Sequence, residues 1–207
     1  MSGIMSMLLG ASGSLPVFIS SSVNRTAVAA NTVMAPTNII NGDYLVAVCI
    51  STSNNTITVP SGFTVQSANT GASAAMHIYA KVASSESGNY LFTWSGTASN
   101  TIAIMVYRSC DSVNLAGAKA SSTTDTQIAA SITPTVRGTL CAVFAQSSTN
   151  TVVTPPAGMT QRVTYSAASP FLYIYDLVSQ EATATGDKTL VLSGSAVFLA
   201  KLFQLTA

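Results

Sequence analysis

The chain has one histidine, His77, and most acid–base chemistry would have to run through it. A Ser-His-Asp triad needs its histidine oriented by a buried carboxylate. Alternation through residues 76–82 sets His77, Tyr79 and Lys81 on one strand face, opposite Met76, Ile78, Ala80 and Val82, and this predicts an exposed strand histidine. Gly71-Ala72-Ser73-Ala74-Ala75 lacks the closing glycine of a nucleophile elbow. A cysteine nucleophile would need the same histidine as its base. Cys49, Cys110 and Cys141 are odd in number and show no C-x-x-C spacing, which predicts buried free thiols acting as small hydrophobes. Calcium held by loop carbonyls with Asp111, Asp125 or Asp187, and a glycosidase pair drawn from Asp43, Glu86, Asp111 and Asp176, are both conceivable from residue types. Neither has a spacing that singles out a site. Phosphate-cradling glycine motifs do not occur. The expectation is a non-enzyme with no catalytic residue, no metal and no cofactor.

The most suggestive cluster is aromatic. Tyr90, Phe92 and Trp94 occupy alternate positions of one strand and so share a face. Such a stripe can stack on sugars, with Trp94, Tyr90, and His77 or Tyr79 as the carbohydrate contacts. An internal repeat argues against that use. Gly62 and Gly158 stand 96 positions apart, as do Tyr79 and Tyr175, while Ser95-Gly96 and Ser193-Gly194 stand 98 apart. A near-constant offset through several segments marks a duplicated unit. At the larger offset Tyr90, Phe92 and Trp94 map onto Lys188, Leu190 and Leu192. Leucine packs cores and does not stack on sugars, so core packing is the favoured reading and carbohydrate contact the lesser one. Tyr79 and Tyr175, equivalent in the two copies, fit either intersubunit contacts or ordinary strand positions.

The segments that must carry these residues are strands. Val, Ile, Thr, Tyr and Phe dominate runs separated by Gly, Asn and Ser clusters such as Ser53-Asn54-Asn55 and Ser87-Gly88-Asn89, which is the punctuation of a β-sandwich or barrel. Ile102 to Val106, and Val197 to Leu205, are apolar on both faces, predicting central strands covered on both sides. The predicted fold is all-β: a single jelly-roll-like antiparallel β-sandwich spanning residues 31–207, with similar halves at 31–111 and 127–207 joined by a polar connection at 112–126. Two tandem small sandwiches are the other arrangement. A copy counted from Pro36 or Pro134 has only about 70 residues, a marginal size for an independent core, so the single sandwich with each half feeding both sheets is preferred.

Residues 1–30 read as an N-terminal anchoring arm. Ile4, Met5, Met7, Leu8 and Leu9 lie close together between glycines and would otherwise be exposed as one apolar patch. A signal peptide would place Lys or Arg before its apolar core, yet the first is Arg25.

Composition narrows the partners. Charged residues make up 7% of the 207 positions, apolar residues 48%, and the net charge is +1. Eight scattered Lys and Arg cannot supply the phosphate contacts of a nucleic-acid site, and no apolar run reaches membrane-spanning length. A neutral, hydroxyl-rich surface has little repulsion to keep copies apart.

The segments Gly42-Asp43-Tyr44-Leu45-Val46-Ala47, Pro60-Ser61-Gly62-Phe63-Thr64, Tyr79-Ala80-Lys81-Val82-Ala83, Tyr90-Leu91-Phe92-Thr93-Trp94-Ser95 and Tyr107-Arg108-Ser109-Cys110-Asp111 together resemble a β-sandwich module of tailed bacteriophages and prophages. Pro155-Pro156-Ala157-Gly158-Met159-Thr160 and Ala184-Thr185-Gly186 look like its second half, so the resemblance spans about residues 32–205. One departure is Arg108-Ser109-Cys110-Asp111, where an Arg-Gly-Val-Asp-like turn would stand. The resemblance implies a virion component: a head decoration (cement) protein, a head fibre or a tail appendage. It also implies partners, namely other copies in a threefold or fivefold assembly and a major capsid or tail protein. Capsid decoration is favoured because the chain is short and has no fibrous repeat. A carbohydrate-binding or receptor-contacting module of a tail or head fibre is the alternative.

Overall fold

The computed structural model describes residues 14–70, 74–114, 120–147, 152–179 and 183–207. The expected arm residues Ile4, Met5, Met7, Leu8 and Leu9 lie outside these. The first half contributes β1 (Val17–Thr26), β2 (Ala30–Met34), β3 (Tyr44–Ser51), β4 (Ile57–Thr58), β5 (Thr64–Thr70), β6 (Ala75–Val82), β7 (Asn89–Trp94) and β8 (Asn100–Arg108). After β9 (Ser112–Asn114) come β10 (Ala120–Ala129), β11 (Gly138–Gln146), β12 (Val152–Thr154), β13 (Thr160–Tyr165), β14 (Phe171–Ser179) and β15 (Lys188–Thr206). All pairings are antiparallel, and no helix occurs among the described residues.

The duplication is a duplication of topology. In the first half a sheet runs β1-β8-β3-β6-β5 and a smaller one runs β2-β7-β4. In the second half the main order is β10-β15-β11-β14-β13, the same plan strand for strand. The small sheet is repeated too. Thr126 to Ala129 of β10 pair with the first residues of β15, and β12 pairs with β15 on the other side. What breaks into β7 and β8 in the first half runs through as the long β15 in the second.

Burial follows from this plan. β3, β8 and β11 are rich in Val, Ile, Leu, Ala and Phe on both faces and are buried along nearly their whole length, as central strands of a stack should be. One face of the first large sheet (Tyr44, Val46, Val48, Met76, Ile78, Met105, Tyr107) packs on one face of the second (Cys141, Val143, Leu172, Ile174, Phe203, Leu205). The opposite face of the first sheet packs with β2 and β7 around Leu45, Phe63, Phe92, Trp94 and Ile104. The opposite face of the second packs with the folded-over ends of β10 and β15 around Phe144, Tyr173, Tyr175, Leu190 and Leu202. The result is four layers and three cores, the middle core lying on a seam between the halves.

The all-β antiparallel sandwich is what the sequence predicts, but the strand allotment differs. Apart from β9, each half keeps its strands in its own sheets, and the halves meet face to face. A copy too small to bury both faces of its large sheet covers the second face with the other copy. Two boundaries shift as well. Val17–Thr26, assigned by sequence to the arm, is an edge strand paired with β8. The expected connection 112–126 contains β9 and the start of β10, both paired with β15.

Turn chemistry repeats with the strands. Phe63 N–H donates to the Pro60 carbonyl and Met159 N–H to the Pro156 carbonyl, each at 3.3 Å. The third residues, Gly62 and Gly158, have φ of 87° and 72°. These are type II turns, which need a residue at ease with positive φ. Ser109, with φ of 56°, takes the left-handed conformation where the resemblance leads one to expect glycine.

Candidate functional site: the seam and the uncharged surface

The seam carries a buried polar cluster. β8 presents Tyr107, whose hydroxyl donates to Asp176 Oδ2 on β14 at 3.0 Å and lies 3.4 Å from Cys141 Sγ on β11. Arg162 Nε on β13 donates to Asp176 Oδ1 at 2.8 Å. The Arg162 guanidinium stands over the Phe18 ring of β1 at 4.7 Å, and Phe18 meets Tyr107 edge-on at 5.7 Å. Burial pushes the Asp176 carboxyl above its ordinary value, a push that Arg162 and Tyr107 only partly offset. Burial also holds the Tyr107 hydroxyl protonated, with the Cys141 and Asp176 charges adding to the effect. The neighbouring seam bonds are Ser21 Oγ to the Arg162 carbonyl, Arg25 Nε to the Ser169 carbonyl, Thr101 Oγ1 to the Pro170 carbonyl and Thr139 Oγ1 to the Pro16 carbonyl. They lay β1 over β13 and β8 over β14. Chemically this cluster is a clamp: every strong donor and acceptor in it is satisfied within the protein.

The remaining charges are also used internally. Asp43 accepts from Arg108 at 2.9 and 3.0 Å and from the Ile40 N–H. Lys81 pairs with Glu86 at 2.7 Å and lies over the Phe63 and Tyr90 rings, while Tyr90 donates to Glu86. Lys188 donates to the Thr185 carbonyl and Asp187 accepts from Ser131 N–H. Lys201 is buried. Among the described residues, only the exposed Asp111 and Arg137 have charged side chains with neither a hydrogen-bond nor an ion-pair partner. The outer face of the three-stranded sheet, with Ala30, Thr32, Met34 and Leu91, bears no charge.

The sequence-predicted candidates go elsewhere. His77 is not exposed: it is only 8% accessible, stacked on Tyr79, with both ring nitrogens buried and unpartnered among the described residues. Its pKa is lowered by desolvation. The alternation was right, but the face shared with Lys81 lies over a core, and Lys81 escapes it only by reaching Glu86. Tyr90 and Trp94 are 6% and 5% exposed and Tyr79 7%, so all four carbohydrate candidates pack inward and none offers an open ring face. Tyr79 and Tyr175 both face their own half's inner core. The three cysteines are free and buried, and burial pushes Cys110 up to about 12 and the other two higher, which keeps them as thiols rather than nucleophiles. No group of three His, Cys, Asp or Glu among the described residues could hold a metal ion, and no helix among them could cross a membrane. Sequence reasoning weighed Asp176 only as one of several acids and missed its partners. The available signal was a lone carboxylate inside the apolar run Phe171-Leu172-Tyr173-Ile174-Tyr175-Asp176, which a buried strand tolerates only with partners.

Two surface features bear on association. β1, β5, β10 and β13, which flank the large sheets, each carry a bulge, one of the devices that stop edge-to-edge pairing. At one end of the seam, Ile50, Ser51, Thr52, Ala74, Ala145, Gln146, Ser147, Pro170, Val197 and Leu199 enclose a cleft of about 130 Å³. No protein-family model, curated protein or solved structure matches this chain.

Proposed function

We propose that this protein is a non-enzymatic structural component of a tailed-phage virion, a capsid decoration protein that self-associates and stabilises the particle. The observation that carries the reading is the distribution of charge. Its few ionic groups are drawn into clamps and ion pairs, and the surface left over is almost neutral. Such a surface suits permanent burial against neighbours, because association desolvates few charges. Hydroxyl and small apolar side chains on the outer sheet faces supply contact area, and the bulged edges direct association away from open-ended strand pairing. The resemblance stated above supplies the setting, and the apolar segment from Ile4 to Leu9 supplies an anchor. Light scattering of the full chain should give a trimer or pentamer. Antibody to the chain should label the heads of particles produced by the phage or prophage that encodes it. A monomer at all concentrations, or particles without label, would overturn the reading.

A further inference from the structure

We infer that the seam cleft is the receptor for the apolar arm, residues 4–9, of a second copy; this rests on the assembly reading above. The cleft is built by both halves. Ile50 and Ala74 come from the first, Ala145, Pro170, Val197 and Leu199 from the second, with Ser51, Thr52, Gln146 and Ser147 among its remaining lining. An apolar cavity of about 150 Å³ takes up a molecule the size of benzene, so a 130 Å³ cleft suits a leucine or methionine side chain. The arm offers these in series at Met5, Met7, Leu8 and Leu9.

Where the described chain begins decides whose arm fits. Pro16 is held by Thr139 at the start of β11, whereas the cleft is lined by Ala145 and Gln146 at its end. Seven strand residues separate the two points, about 23 Å. Leu9 is five residues from Ser14, and full extension spans at most about 18 Å. A chain's own arm would have to double back fully extended and would still leave Leu9 and Leu8 outside. An arm arriving from a neighbour seats the whole apolar block. Such a contact joins different patches on the two copies, and it forms closed rings when its rotation closes.

Disulfide trapping in the full chain tests this. A Met7→Cys, Thr52→Cys variant, mildly oxidised with glutathione, should form intermolecular disulfides at least tenfold faster than a Met7→Cys, Val65→Cys control, Val65 being an exposed position on β5. The native cysteines are buried and stay silent. Adding Val197→Asp, a substitution of a cleft residue that is 42% exposed, should slow trapping tenfold without moving the urea midpoint. Trapping no faster than the control, or confined within single chains, overturns the inference. If the unsubstituted chain is then still oligomeric, the assembly reading survives its failure; if it is monomeric, both fall.

Discussion

The two halves share one strand plan, yet the seam treats them differently. On one side Tyr107, Asp176 and Arg162 form a satisfied polar cluster. Pairing registers locate the equivalent positions on the other side. Tyr107 pairs with Tyr44 as Leu205 pairs with Thr139, and Asp176 and Arg162 correspond, at the 96-residue offset, to Ala80 and Gln66. Leu205 and Ala80 belong to the apolar seam core. Two apolar sheets pressed together have many sliding registers of similar energy. One buried cluster on one side penalises all but the register that satisfies it, because any slip leaves a carboxylate without its donors. Duplication thus supplied the backbone, and divergence of a few side chains supplied the orientation.

The largest effect should come from breaking that asymmetry. Asp176→Ala leaves the Tyr107 hydroxyl buried without an acceptor and Arg162 without its partner, and should cost about 3–5 kcal/mol in urea unfolding. Tyr107→Phe removes one bond and leaves Arg162 in place, so about 1–2 kcal/mol is expected. The double variant should cost less than the sum of the two. Additive costs would mean that the cluster does not act as a unit.

A second contrast separates the glycines that open β3 and β11. Gly42 has φ of 89° with open space around it. Gly138 lacks a positive φ, but a Cβ there would collide with the Leu205 carbonyl and stand 2.8 Å from Gln204 Nε2. Gly42→Ala should cost about 1–2 kcal/mol through its backbone conformation. Gly138→Ala should cost about 3 kcal/mol through overpacking against β15. Equal losses would erase the distinction.

These glycines show what the sequence could and could not disclose. The strands, the repeat, the type II turns and the double-sided burial of Ile102 to Val106 were legible, because periodicity and turn residues are local signals. The layering was not. β3 and β11 align at Gly42 and Gly138 by sequence, yet seam-facing residues are Tyr44, Val46 and Val48 in one and Cys141, Val143 and Ala145 in the other. That is an odd offset, and it turns the sequence-aligned residues to opposite faces. His77 was misread for a related reason: alternation separates two faces but cannot say that both are covered. Asp176 finds Tyr107 and Arg162 69 and 14 positions away, a coincidence made only by folding.

A smaller gain is expected at Ser109, whose φ of 56° costs a side-chain-bearing residue about 1–2 kcal/mol. Ser109→Gly relieves that strain but gains chain entropy in the unfolded state, so a net stabilisation of about 0.5–1 kcal/mol should appear as a higher urea midpoint. Unchanged or lower stability would show that the turn there does not follow the pattern of the positive-φ glycines.

The finest comparison between the halves is a difference in slope. Burial alone would raise the Asp43 pKa, but the bonds from Arg108 and the Ile40 N–H bring it below the ordinary 3.8. The unfolded chain then binds the proton more readily. The Asp43 contribution is therefore complete above the ordinary value and lost as pH falls through the lowered folded value. For Asp176 burial prevails and the pKa is raised, so the folded chain holds the proton more readily. Its contribution is greatest below the ordinary value and declines as pH rises through the raised one. Urea midpoints measured across about pH 3–7 should separate the two. Asp43→Asn should flatten the loss of stability towards acid, whereas Asp176→Asn should steepen it by removing the opposing trend. Slopes that move the same way in both variants would show that the seam carboxylate is held like the surface one, and that the two halves share their electrostatics as well as their strands.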